Sequence, residues 1–564
     1  MKWYTITRIR GIIKLCLNLR DYGIICDIER DYSTKMLRKE ERVMYQCPDC
    51  GGNLKFDIPS QMLSCVYCDA LVNPYDVVKE TDAVQNEFFE AKIFTCPQCG
   101  GEVYSIDNEA ASFCSYCGAS AILSERISNE KCPNHIITFK VTKEDCKKQY
   151  KKVMSKAFFA PSKLKNADFI DGFRGIYMPY WNYSVKQEGQ VNLPATKSHR
   201  SGDYIVTEHF DVKGYLSSTF AGDVHDASAN FYDEISEALA PYDTSDCIDF
   251  TPSFLSGFYA DAADVDKSMY VADAIRFAED TNLERIKREH LAGYTLDEKS
   301  KSTIKQWPLG DIDNIKSAMF PVWFLSYRNK DRVAYATVNG QTGKVVADMP
   351  ISVGKYILTS LLMALPIFFL LNIAMVFRAS VLLTICSVLL LITSIICNGE
   401  IKEIYEKEYN IGDLGLEWRK HRRRVSIVKK KDKDKKINSN IIKYVIIVFS
   451  LFPLISAFLN GMPFLISILI MIIMVVVIAK AIEKQRKIEK MGIPIGLIFS
   501  LLASVISIFI SIINPVSDIW YYSGVIIILF AIILNFIFII KNYNRIAMRR
   551  LPQFDRRGGD DGAY

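Results

Sequence analysis

The chain has 564 residues, half of them hydrophobic, and a formal net charge of +6. That length leaves room for several domains, and the long aliphatic runs crowd into the last third, which excludes a wholly soluble chain. The charge is uneven as well: basic runs fill loops in the last third, while the cysteine-rich part nearer the N-terminus carries mainly acids.

Residues 1–43 contain one apolar patch, GIIKLCLNL, which is broken by Lys14 and ended by Arg20 and is too short to cross a bilayer. Met44 lies three residues before Cys47 and is a candidate start of translation, which leaves 1–43 as an N-terminal extension. Cys16 and Cys26 lack paired spacing and read as ordinary thiols.

Eight of the fifteen cysteines then fall in four Cys-x-x-Cys pairs. They form two units of the pattern C-x2-C-x14-C-x2-C: Cys47, Cys50, Cys65 and Cys68 within 44–70, and Cys96, Cys99, Cys114 and Cys117 within 96–120, joined by a linker over 71–95. Each pair can aim two thiolates at one point, and a short strand pair brings the second turn back to complete a tetrahedron of soft ligands. The Gly-Gly after each first pair permits a tight turn with backbone N–H groups facing sulfur. This predicts two tandem four-cysteine zinc ribbons holding two structural Zn2+ ions. A disulfide framework is the other use of paired cysteines, but it belongs to an oxidising compartment and no secretory signal stands at the N-terminus. With every coordination position filled by thiolate, neither site leaves room for catalysis by the metal.

Zinc ribbons often touch nucleic acid, and charge bears on that use. Between Cys96 and Cys117 the charged residues are Glu102, Asp107 and Glu109, and the first ribbon sets only Lys55 against Asp49 and Asp57. Phosphate needs the opposite sign, so protein contact or structural spacing is favoured. Farther on, KCPNH offers Cys132 and His135 at a metal-like spacing that reads as incidental once eight ligands are assigned.

A soluble α+β domain is expected over 131–350. Thr142 is placed to cap an amphipathic helix with Cys146, Tyr150, Val153 and Ala157 on one side. Aromatic strands are expected at 175–185, 204–216 and 333–340, and helices near 231–239 and 262–291. MPYWNYS and FPVWFLSY each place Pro two residues before Trp, a pattern open to chance or to duplicated halves. GDVHDAS gathers Asp223, His225, Asp226 and Ser228 and reads as a polar turn before it reads as acid–base chemistry. NGQTGKVV has Val345 where a phosphate loop needs Ser or Thr, so a β-turn is expected. Asp261, Asp264 and Asp266 are expected as solvated charges at a helix start. No credible catalytic constellation emerges, and an enzyme is not expected.

The membrane region is expected to be all-α with six spans, near 356–377, 380–398, 441–459, 463–480, 493–513 and 519–540. They pair into hairpins over 355–398, 441–480 and 493–540, separated by basic loops at 399–440 and 481–492 and followed by a tail at 541–564. Thirteen Lys or Arg residues lie between Glu400 and Lys436 and five between Lys480 and Lys490, so the positive-inside rule places these loops and both termini in the cytoplasm of a multi-pass cell-membrane protein. The spans offer Asn372, Asn535 and hydroxyls but almost no ionisable group, which disfavours a transporter.

The twin CPxCGG motifs, NHIITFKVTKED, IYMPYW, PVWFLSY, NGQTGKVVADMP and the terminal LPQFDRRGGDD together resemble bacterial TFIIB-type zinc-ribbon membrane proteins, some of which carry the label primosomal protein N-prime helicase. The resemblance covers nearly the whole length from residue 44. It implies metal ligation by the same eight cysteines and a protein partner like phage-shock-protein A, an ESCRT-III-like membrane remodeller. The expectation is a membrane-anchored adaptor or sensor with a cytoplasmic docking domain, ahead of a membrane-tethered nucleic-acid binder and, last, a transporter. The chain lacks the phosphate loop that the helicase label requires.

Overall fold

A computed structural model describes residues 45–77, 88–107, 113–120, 124–295, 306–374, 378–409 and 495–552, with isolated positions between 475 and 482. The first ribbon is a three-stranded antiparallel sheet of β1 (Leu54–Asp57), β2 (Met62–Cys65) and β3 (Leu71–Val72). Period-two alternation turns Leu54, Phe56, Leu63 and Cys65 inward. The sheet is tied to the soluble region: Ser256 Oγ donates to the Leu54 carbonyl at 2.6 Å, and the Phe56 ring lies edge-on to Phe254 at 5.6 Å.

The second ribbon is part of a twelve-stranded sheet. Its strands β4 (Phe88–Thr95), β5 (Glu102–Ser105) and β6 (Ser124–Lys131) run antiparallel, and β5 joins the rest where Tyr104 pairs with Ala260 of β11 (Tyr259–Ala260). The range 71–95, read as a linker, therefore carries β3 and β4 at its ends, while 78–87 lies outside the described residues. Phe89, Ala91 and Ile93 point into the core, which is why β4 belongs to the domain.

At the centre of this sheet, β8 (Arg174–Ser201) pairs antiparallel with β12 (Gly310–Asn329). The two Pro-x-Trp segments lie on these strands and face each other about a local two-fold through the Met178–Phe320 pair. The surroundings repeat with it. Parallel to β12 runs β7 (His135–Ile136), with Ile136 opposite Met319, and parallel to β8 runs β11, with Ala260 opposite Tyr177. Trp323 Nε1 donates to the Val141 carbonyl and Trp181 Nε1 to the Val265 carbonyl, both at 2.9 Å. The Pro321 and Pro179 carbonyls accept from Gly340 and Ala227, both at 2.8 Å. Each half thus follows the order strand, helix, strand, strand. The helices are α1 (Lys143–Lys156) and α4 (Val271–His290), and the closing strands are β13 (Arg332–Asn339) and β9 (Tyr204–Asp226). Two short strands extend the sheet, β10 (Ile248–Asp249) beside β7 and β14 (Val345–Ala347) beside β13.

Between them lie the short helices α2 (Ala167–Ile170) and α3 (Asp233–Leu239). The β8–β9 hairpin is far longer than the short strands expected, at 28 and 23 residues, because Val191, Leu193 and Ala195 continue a buried alternation under Leu283 of α4. Thr142 caps α1 as expected, accepting from Asp145 N at 3.2 Å, and the buried side is Cys146, Tyr150 and Met154. The expected helix at 262–291 begins only at Val271. Asp261 and Asp264 are accordingly not solvated helix-start charges. Asp261 is 1% exposed and accepts from Ser228 Oγ and the Ala262 N–H, while Asp264 accepts from Ala229 N at 2.7 Å; both anchor a buried loop.

Among the described residues four apolar helices follow: α5 (Val353–Ala374), α6 (Ala379–Tyr409), α7 (Ile495–Ile513) and α8 (Asp518–Ala547). Three stretches, Ala379–Ile404, Ile495–Ile513 and Asp518–Ala547, are long and apolar enough to cross a membrane. Among the described residues only these three qualify, so six spans are not supported. The expected span at 356–377 falls on the 22-residue apolar helix α5, part of which lies outside the described side chains, and the spans at 441–459 and 463–480 fall outside the described residues apart from isolated positions. On α7, Gly496, Ser500, Ala503, Ser504 and Ser507 form a buried small-residue stripe. Asn535 of α8 donates to Ser500 Oγ at 2.9 Å and to Thr393 Oγ1 of α6 at 3.4 Å, joining three helices at one point.

Both ends of this apolar region contact the soluble domain. At the start of α5, Ser352 N donates to the Phe159 carbonyl at 2.8 Å. Near the end of α8, Asn544 and Ile351 exchange two hydrogen bonds, at 2.6 and 2.8 Å. The chain then re-enters the sheet as β15 (Arg549–Arg550), beside β13. Arg549, 8% exposed, lies between Asp348 at 2.5 Å and Glu234 at 3.0 Å with its guanidinium over Tyr232.

Candidate metal centres

All eight predicted ligands converge in two tetrads, with the sulfurs of each within 4.8 Å of one another. In the first, Cys47 and Cys68 are 3.6 Å apart and Cys50 and Cys65 3.4 Å. In the second, Cys96 and Cys117 are 3.7 Å apart and Cys99 and Cys114 3.6 Å. A tetrahedron with metal–sulfur bonds of about 2.3 Å has edges of about 3.8 Å. The spacing matches that figure and is far beyond the roughly 2.05 Å of a disulfide.

One local device builds all four turns. The N–H four residues after the leading cysteine returns to that cysteine's carbonyl, at 2.9 Å for Gly51, 3.1 Å for Asp69, 2.9 Å for Gly100 and 3.0 Å for Gly118. That residue sits in the left-handed region each time, with φ of 74°, 57°, 74° and 67° respectively, so three of the four are glycine. The next N–H in the first turn of each ribbon, from Gly52 or Gly101, donates to the second cysteine's sulfur at 3.4 Å.

Four thiols this close cannot all ionise without a compensating cation. In the second tetrad the bonds from Cys114, Cys117 and Cys99 hold Cys96 far below an ordinary thiol, while the Cys117, Cys96 and Cys99 sulfurs and then burial push Cys114 up. In the first tetrad the Tyr67 backbone N–H brings Cys65 down to about 7. Against the Ala70 N–H, which lowers it, the Cys50 and Cys65 sulfurs push Cys68 up to about 12. The tetrads differ in setting. All four cysteines of the second are buried, whereas Cys50 and Cys68 of the first are exposed.

Sequence reasoning missed what stands around the second tetrad. Ser326 Oγ donates to the Cys114 carbonyl at 3.5 Å, and Arg328 Nη1 reaches Gln98 at 2.5 Å. Tyr335 OH donates to the Tyr116 carbonyl, between Cys114 and Cys117, at 2.7 Å. Tyr335 also lies under Arg549, so the tetrad and the end of α8 share a neighbour. Only β12–β13 pairing makes this visible, since those residues are distant in sequence.

The remaining candidates disperse. His135 is 3.4 Å from Asp249 and 3.2 Å from Lys316, and among the described residues it joins no cysteine cluster. His225 Nε2 lies 3.2 Å from Asp223 and its ring stacks on Tyr270 at 4.7 Å, beside a small cavity that Asp226 also lines. Ser228 turns away to Asp261, so no nucleophile–base pair forms. In the turn at 339–343, between β13 and β14, Asn339 Oδ1 accepts from Gln341 N at 2.9 Å and from Thr342 N at 3.0 Å, an Asx turn, and the Asn339 carbonyl accepts from Gly343 N at 2.9 Å.

Against known proteins, the chain is 30% identical over 326 residues to the uncharacterized protein YdjG of Bacillus subtilis (strain 168), which covers 56% of this chain and 92% of YdjG. The chain belongs to the YdjG family. No family model matches it, and no solved structure does. For this YdjG relative the two thiol tetrads are the sites with the most definite chemistry.

Proposed function

We propose that this protein is a membrane-anchored, non-enzymatic adaptor or sensor whose two tetrads each hold a structural Zn2+ ion. The observation that carries the reading is that one all-thiol tetrad is built into the main sheet and the other is tied to it through Ser256, while the chain at the end of the apolar helical region pairs with the same sheet as β15. An all-cysteine donor set suits zinc, and it leaves no open position for a reacting group. With Ile351 before α5 and Asn544 near the end of α8 bonded to each other, both ends lie on one membrane face, so the chain crosses the bilayer an even number of times between them. The basic loops put that face in the cytoplasm, where thiols stay reduced.

The docking surface is the soluble sheet, and the resemblance to TFIIB-type zinc-ribbon membrane proteins suggests a partner like phage-shock-protein A. Nucleic acid is disfavoured by the acids of the second ribbon, where Glu102 is already paired with Arg126 at 3.2 Å. The test is metal analysis of the full-length protein together with crosslinking in intact cells. Two zinc ions per chain and a captured membrane-remodelling protein are expected. Protein free of zinc, or loss of the gene with no captured partner and normal stress tolerance, would refute the reading.

A further inference from the structure

Between Cys146 and Asn166 the chain carries seven lysines and no acid. Lys147 pairs with Asp171 and Lys148 with Asp145, each at 3.0 Å. The other five, Lys151, Lys152, Lys156, Lys163 and Lys165, are exposed. Cations at a helix C-terminus are favoured by its dipole, which accounts for Lys156, and Lys163 Nζ lies over the Tyr327 ring at 5.9 Å, but neither contact accounts for Lys165 in the following turn. Nor do they account for Phe158, which is 64% exposed between the two groups.

The position of this segment supplies a reason. Phe159 and Ala160 accept at their carbonyls from Ser352 N at 2.8 Å and Lys355 Nζ at 2.9 Å, and the Phe159 ring lies 5.3 Å from Tyr356. One turn farther along α5, Ile357, Leu358, Leu361 and Leu362 turn apolar side chains outward, between 47% and 60% exposed. The Asn544–Ile351 bonds place the end of α8 at the same level. Exposed lysines around an outward phenylalanine, at the height where two apolar helices meet the sheet, are what an anionic headgroup layer would attract.

We propose that Lys151, Lys152, Lys156, Lys163, Lys165 and Phe158 form a surface that rests on the bilayer and binds anionic phospholipid. This rests on the membrane reading above and deepens it by naming the lipid class that orients the sheet. The test places Phe158→Trp in the full-length protein, in nanodiscs of brominated phosphatidylcholine with or without phosphatidylglycerol. Subtracting the parent protein's signal removes its six native tryptophans. Extra quenching at least twofold greater with phosphatidylglycerol is expected, and it should be lost when the five lysines become glutamine. No added quenching in either lipid, or equal quenching in both, would overturn the proposal. Flotation with liposomes after an alkaline wash separates the two readings: protein that does not float removes the membrane anchor as well, whereas floating protein without quenching removes only the lipid surface.

Discussion

Gly118 and Asp69 occupy the same place in two of the thiol-tetrad turns, yet one is glycine and the other is not. At Gly118 an added Cβ would meet Ser326 Oγ at 3.2 Å and Arg328 Cβ at 3.3 Å, on top of a left-handed backbone. Gly118→Ala is therefore expected to destabilise the protein by about 1–2 kcal/mol. Asp69 bears the left-handed cost already, so Asp69→Gly should raise stability by about 0.5 kcal/mol. Thermal melts of the metal-loaded proteins check both signs. The exposure of Cys50 and Cys68 against full burial of the second tetrad leads to another expectation. A chelator should draw metal in two phases of equal amplitude, and Cys50→Ser should abolish the fast phase alone. A single phase in the parent protein would contradict the difference in setting.

Helices and strands show how much of each element was legible locally. The α1 helix was, because Thr142, Cys146 and Tyr150 carry its cap and its buried stripe within one turn or two. The β8–β9 hairpin was only partly so: its inner alternation is local, but its length depends on α4 covering Val191, Leu193 and Ala195. Asp261 and Asp264 were misread because a helix-start pattern and a buried loop anchor use the same residue type, and only the positions of Ser228 and Ala229 distinguish them. Among the apolar helices, Asn535 is fully buried where α6, α7 and α8 meet. Asn535→Ala should lower the unfolding free energy in mild detergent by about 1 kcal/mol, the scale of hydrogen bonds between membrane helices. An unchanged denaturation midpoint would show that the contact adds nothing net.

For the whole molecule, the deciding feature is that the soluble domain holds both ends of the helical region, through Phe159 with Ser352 and through Arg549 with Asp348 and Glu234. If the helices cross a bilayer, the turn between α7 and α8 lies on the far side from the sheet. Ser517→Cys, in that turn, should react with a membrane-impermeant thiol reagent added to intact cells, and Ser155→Cys on α1 should not; the reverse pattern would invert the topology. The eight metal-site cysteines and the existence of long apolar helices were determined by the sequence alone, because ligand spacing and hydropathy act over a few turns of chain. The incorporation of the second ribbon into the main sheet, the two-fold relation of the Pro-x-Trp strands and the burial of Arg549 were decided only by tertiary structure. Strand pairing depends on which distant surfaces meet, and an alternating pattern names a strand's buried face without naming its partner.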